Sequence, residues 1–193
     1  MTAKIKLNSA SGGGSFSLQA PSSSSNNRVF TIPDEADATL LTSNTSTGKI
    51  LQVVQATSDS QVSTTSTSYV DTPLSASITP TATSSKILIR YSMTVAINSD
   101  SNIAFFQMLR GSTAVGNGNQ GSNRVKCHSA LRGQHSDSNP SGVTSGEFLD
   151  TPSTTSATTY KIQFRIDGNT VYINRAPGDA DQPFHASPLA VLT

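Results

Sequence analysis

The sequence predicts an all-β protein, a β-sandwich preceded by a short extended N-terminal segment. Three observations predict it. Serine and threonine supply about 29% of the 193 residues, while runs rich in alanine, glutamate and lysine, the material of helices, are nearly missing. Apolar residues recur at every second position in the longest apolar stretch, the period of a strand with one buried face. Asn, Gly, Pro and Ser clusters interrupt such stretches at short intervals, as turns do between strands.

Residues 1–48 read as a first region. Phe16, Leu18 and Ala20 share one face of a short alternating stretch, and Phe30 and Ile32 share a face of another. Gly12–Gly14 precede the first, and PSSSSNN separates the two. Two strands of this length bury too little to stand alone, so they are expected to pack on a partner or extend its sheet. Pro33-Asp34-Glu35 could open one helical turn or lie in an exposed loop. TSNTSTG, 42–48, is a polar linker.

From Lys49 the character changes, and residues 49–193 read as the sandwich. KILQVVQATS is expected to be a strand, SDSQVSTTSTS a loop or edge strand, and YVDTPLSASITP a further strand limited by Pro73 and Pro80. In KILIRYSMTVAIN, Ile87, Ile89, Tyr91, Met93, Val95 and Ile97 all fall on odd positions, with Arg90, Ser92 and Thr94 between them. IAFFQMLRG is apolar on both faces. Ile103, Phe105 and Leu109 form one face, expected to meet the core. Phe106 and Met108 form the other, expected to meet another subunit. Residues 111–145 are polar and glycine-rich and are expected to be largely loop apart from a strand at RVKCHSAL. YKIQFRIDGNTVYINR is expected to fold as a hairpin turning at Asp167-Gly168, and SPLAVLT as a closing strand inside a sheet.

Composition bears on function. Thirteen basic and twelve acidic residues nearly cancel, and no basic block offers a footprint for nucleic acid. No run approaches bilayer-spanning length, so no membrane insertion is expected, and the N-terminus lacks the apolar core of a signal peptide. Cys127 has no second cysteine to pair with. His128, His135 and His185 do not show zinc-ligand spacing, and Asp179 and Asp181 lack the rest of a calcium loop, although their spacing leaves calcium as an open question. Glu147 and Asp150 do not make a glycosidase pair by sequence. Neither a catalytic constellation, a metal nor a cofactor is expected.

Two resemblances sharpen this reading. Lys4–Ser43, KIKLNSASGGGSFSLQAPSSSSNNRVFTIPDEADATLLTS, resembles segments of virion proteins of bacterial viruses, especially tail and fibre proteins. The succession KILQVVQA, YVDTPLSASITPTATSSKILIRYSMTV, FFQMLRGSTAVG and TTYKIQFRIDGNTVYINR is similar to jelly-roll head domains of phage fibre proteins, which are related in architecture to the trimeric tumour-necrosis-factor-like fold. The resemblance implies a jelly-roll head, a homotrimer made in a host cytoplasm and carried on the virion, and residues 1–48 docking on other virion proteins. A tail fibre contacting a host glycan or protein is the first expectation. A capsid decoration or head-fibre protein is the second, and a carbohydrate-binding module or enzyme the third.

Overall fold

The computed structural model describes residues 4–8, 11–19, 23, 25, 50–119, 121–133, 141–178 and 188–193. The chain divides into two compact units, Met1–Lys49 and Ile50–Thr193. Every regular element among the described residues is a strand.

In the first unit β1 (Lys4–Asn8) pairs antiparallel with β2 (Ser15–Gln19), Leu7 opposite Phe16 and Ile5 opposite Leu18. The connection turns on Gly12 and Gly13, whose positive φ angles of 87° and 70° suit residues without Cβ. The expected strand around Phe16 and Leu18 is present. Its partner KIKLN is a strand that the sequence signals only weakly, because lysines alternate with only two apolar residues. Phe30, Ile32 and the Pro33-Asp34-Glu35 turn lie outside the described residues.

The second unit is a β-sandwich of two antiparallel sheets. In the first sheet β6 (Ile87–Ile97) is central. β10 (Ser141–Asp150) pairs along one side of it. Two short strands, β12 (Val171–Ile173) and β13 (Ala190–Leu192), share the lane on the other side. β4 (Val62–Thr64) and β3 (Ala56–Ser58) flank these in turn. In the second sheet β5 (Val70–Ile78), β11 (Thr158–Ile166) and β7 (Ile103–Arg110) lie in that order. β8 (Thr113–Val115) and β9 (Ser129–Arg132) share the lane beyond β7.

Alternation in β6 works as its sequence demands. Ile89, Tyr91, Met93, Val95 and Ile97 are buried against Phe106, Met108, Ile162, Phe164 and Ile166 of the other sheet. Complete burial of each such side chain contributes about 1.5–3 kcal/mol before entropy is subtracted.

Several expectations need correction. Phe106 and Met108, expected at a subunit interface, are 0% and 1% exposed and belong to the core of one chain. Ile103, Phe105, Gln107 and Leu109 point to the outer face instead. YKIQFRIDGNTVYINR is not a hairpin, since β11 belongs to the second sheet and β12 to the first. Asp167 accepts bonds from the Ile103 N–H and the Asn102 amide at 2.8 and 3.0 Å, anchoring a crossover between sheets. Pro73 lies within β5 rather than at its limit. This edge strand bulges there: Asp71 and Ser75 pair with Gln163 and Lys161, so three residues oppose Ile162 alone. The Thr72 hydroxyl donates to the Ile162 carbonyl at 2.8 Å across the bulge.

The stretch 111–145 holds more strand than its composition suggests. β10 turns Gly142, Thr144 and Gly146 inward. A Cβ at Gly146 would collide with the His128 ring and Tyr91, so the neighbours supply the bulk that β10 lacks. RVKCHSAL is strand only from Ser129, and of the described residues of KILQVVQATS, 50–58, only Ala56–Ser58 form a paired strand.

One end of the sandwich gathers the start of β6 with the ends of β7 and β10. Residues 50–55 approach this end, where Gln55 bonds Thr193 and Thr193 exchanges backbone bonds with Arg90. The other end carries the loops 98–102 and 167–170.

Candidate functional site

The outer faces of the two sheets differ in how far their side chains satisfy one another. On the second sheet, Lys161 and Gln163 donate to Asp71 at 2.9 and 2.6 Å, and Gln107 donates to Gln163 at 2.8 Å. These bonds hold the Asp71 carboxyl below the usual aspartate range. Arg165 lies between Tyr69 and Phe105, 5.9 and 5.4 Å from the ring centroids. Tyr69 reaches on to donate to the Lys126 carbonyl at 3.0 Å. Leu109 is closed off on this face at 6% exposure.

The outer face of the first sheet is unlike this. Register places Leu149 opposite Leu88, Glu147 opposite Arg90, Ser145 opposite Ser92 and Val143 opposite Thr94. Leu88 and Leu149 are each 53% exposed, and Val143 is 65% exposed. Arg90 and Glu147 meet at 3.4 Å with both side chains in solvent. With Ser92, Ser145, Val191 and Thr193 they line an open depression of about 400 Å³. Leu189, next to β13, is also exposed. Among the described residues, the strongly exposed large apolar side chains of the sandwich lie on this sheet or on the segments leading into it, and none lies on the second sheet. By sequence alone the apolar interface face falls on β7, at Phe106 and Met108. The better signal was the break in alternation at Leu88, Leu149 and Val143, apolar residues at positions where the register calls for polar ones.

The other sequence-selected residues occupy structural positions. Tyr91 and Tyr160 are buried in the core. The Tyr91 hydroxyl bonds Ser129, which bonds Thr144, a polar chain across the sandwich. His128 Nδ1 lies 2.7 Å from the Gly116 carbonyl oxygen. Cys127 is half-buried and burial pushes its thiol pKa up, which disfavours the thiolate a nucleophile needs. Glu147 and Asp150 do not converge: Glu147 points to solvent with Arg90, whereas Asp150 is buried. Asp150 accepts two bonds from Arg110 Nη1, at 3.0 and 2.9 Å, and one from the Tyr160 hydroxyl at 2.6 Å. Among the described residues no group of three or more His, Cys, Asp or Glu side chains is placed to hold a metal ion. His135, His185, Asp179 and Asp181 lie outside the described residues.

Burial pushes the Tyr69 pKa up to about 12, with the neighbouring Cys127 adding to the rise and Arg165 opposing it. Burial also raises Tyr91 and Tyr160, the latter with help from its bond to Asp150. A raised tyrosine pKa favours the folded chain while the phenol is neutral. This stability is complete below pH 10 and is lost as pH rises toward 12. Tyrosinate absorbance should therefore show Tyr69, Tyr91 and Tyr160 ionising later in the native chain than in the same chain unfolded. Coincident native and unfolded curves would contradict these environments.

Compared with known proteins, the chain matches no family model and no curated sequence.

Proposed function

We propose that this chain is a structural protein of a bacteriophage virion, a short tail fibre or tail-associated protein rather than an enzyme. In this reading the sandwich assembles as a homotrimer through the outer face of the first sheet, and residues 1–48 attach it to other virion proteins. The observation that carries the reading is the one-sided placement of exposed apolar residues, Leu88, Val143, Leu149 and Leu189, on an otherwise neutral face. Monomers rarely leave such a face open. A neighbouring copy of the same chain brings the same apolar groups and one charge of each sign, Arg90 and Glu147, so no unpaired charge would be trapped.

The strand order supports reading the sandwich as a jelly roll. Treating strands that share a lane as one, the first sheet runs first, eighth, third, sixth, and the second runs second, seventh, fourth, fifth. This is an eight-strand, two-sheet arrangement of the kind used by viral capsid and lectin domains. The thin β1–β2 hairpin, with Ile5 and Leu7 largely exposed, supports an attachment role for the first unit, since a two-stranded ribbon gains stability by docking. The loops 98–102 and 167–170, at the end away from Ile50, suit contact with a host surface glycan or protein. Three copies would multiply weak contacts there.

Removing residues 1–45 tests the attachment role. The truncated chain is expected to fold as a sandwich and to be lost from purified particles. Normal incorporation would contradict the reading.

A further inference from the structure

Arg165 is a half-buried cation without a counter-charge among the described residues. It stands on the outer face of β11, with Phe105 opposite it on β7 and Tyr69, just before β5, on its other flank. The guanidinium lies against both rings, 5.9 Å from the Tyr69 centroid and 5.4 Å from that of Phe105. Its Nε is buried and has no hydrogen-bond partner, and no described carboxylate lies within ion-pair distance of it. The neighbouring row supplies none. Asp71, opposite Gln163, already accepts from Lys161 and Gln163.

This arrangement prepares a cation for an acceptor. A charge drawn out of water needs other partners, and ring faces replace water only in part. Held between two rings, the planar fork loses little further freedom when its outer N–H groups are bonded. Charge then selects the ligand. On β5 and β11, Lys161 and Asp71 neutralise each other, which leaves Arg165 as the surplus charge. A phosphate monoester, close to doubly charged at neutral pH, exceeds that surplus. A carboxylate equals it, and fits the fork through two parallel hydrogen bonds.

The next row is neutral and polar. Gln107 donates to Gln163, and its own Oε1 accepts from no described group. Residues two apart along a strand share a face and lie about 6.7 Å apart. That is the span of one sugar ring with a carboxylate at one end and hydroxyls at the other.

We propose that Arg165 anchors a binding site for a carboxylated sugar. The guanidinium takes the carboxylate and Gln107 Oε1 accepts from a ring hydroxyl. The site lies beside the crossover at Asp167, at the end of the sandwich that carries loops 98–102 and 167–170. It belongs to a single sandwich and does not rest on the virion reading or on trimer formation.

The test titrates the full chain with methyl glucuronide and follows the Arg165 Nε–H resonance. That resonance and the Gln107 side-chain amide should shift together and saturate. Methyl glucoside keeps the ring without the carboxylate, and acetate keeps the carboxylate without the ring. Each should bind more weakly by about tenfold or more, the effect of losing a charged hydrogen-bonding partner or the hydroxyls beside it. Arg165→Lys keeps the charge but not the fork, and should weaken glucuronide by about tenfold with the backbone spectrum retained. The ligand comparisons need only the native chain, so they decide even where the variant does not fold. Absence of a saturable glucuronide shift would overturn the proposal. Equal binding of acetate or inorganic phosphate, which marks an adventitious ion only, would do so too, as would glucuronide binding unchanged in Arg165→Lys.

Discussion

Phe106→Ala is expected to destabilise the sandwich by about 3–5 kcal/mol, the range for losing a buried aromatic ring and leaving a cavity behind. Phe106 is fully buried on the inner face of β7, opposite Phe164 of β11, which is 1% exposed. Both belong to the cluster that joins the two sheets. Neighbours held in paired strands cannot collapse far into the space. The control lies one residue away. Phe105 points outward and touches Arg165 with its ring face, so Phe105→Ala is expected to cost nearer 1 kcal/mol. Urea unfolding of both variants, with unchanged slope, measures the difference. Similar costs for the two would contradict the facing of β7. A folded Phe106→Asp monomer would restore the interface role that the burial denies.

The second large effect is expected at Asp150. Its carboxylate is 8% exposed and holds Arg110 of β7 and Tyr160 of β11, so one side chain of the first sheet ties down two strands of the second. Asp150→Ala leaves the Tyr160 phenol without its acceptor and the Arg110 guanidinium with the Thr151 carbonyl at 3.4 Å. Removing one partner of a buried pair costs about 3–5 kcal/mol. Arg110 retains 31% exposure and can turn to water, which argues for the lower part of that range, about 3 kcal/mol. Asp150→Asn keeps an acceptor for Tyr160 and should cost less. The comparison is Glu147→Gln, three residues earlier on the same strand. Its pair with Arg90 has both side chains 68% exposed, and such pairs contribute about 0–1 kcal/mol. Thermal unfolding of Asp150→Ala within a degree or two of the parent chain would remove this network from the account.

The fold class was legible because β6 and β11 each bury one face and expose the other, which writes a period of two into the sequence. Which face of β7 turns inward was not legible. Both of its faces are apolar, and only the position of β11 and β9 beside it decides that Phe106 and Met108 meet the opposite sheet. The chain does bend at 167–169, with Asn169 rather than Asp167 or Gly168 at positive φ, but local turn chemistry does not say whether the next strand pairs back or crosses to another sheet. Here Asp167 is occupied by Asn102 and Ile103, more than sixty residues earlier in the chain. β10 was hidden because its inward positions are Gly142, Thr144 and Gly146, made small by His128 and Leu131 packing over them. The Asp150 network joins residues forty and ten positions apart, beyond the reach of any local pattern. The apolar face at Leu88 and Leu149 was visible only once register set the two side by side.

The mass of the full chain in solution, by sedimentation at micromolar concentration, tests assembly through that face most directly. A trimer built through it has three times the chain mass of 20.1 kDa, and Leu149→Asp should sediment at a single-chain mass with its strand content retained. A native chain that sediments as a monomer, or a Leu149→Asp chain that remains a trimer, would contradict it.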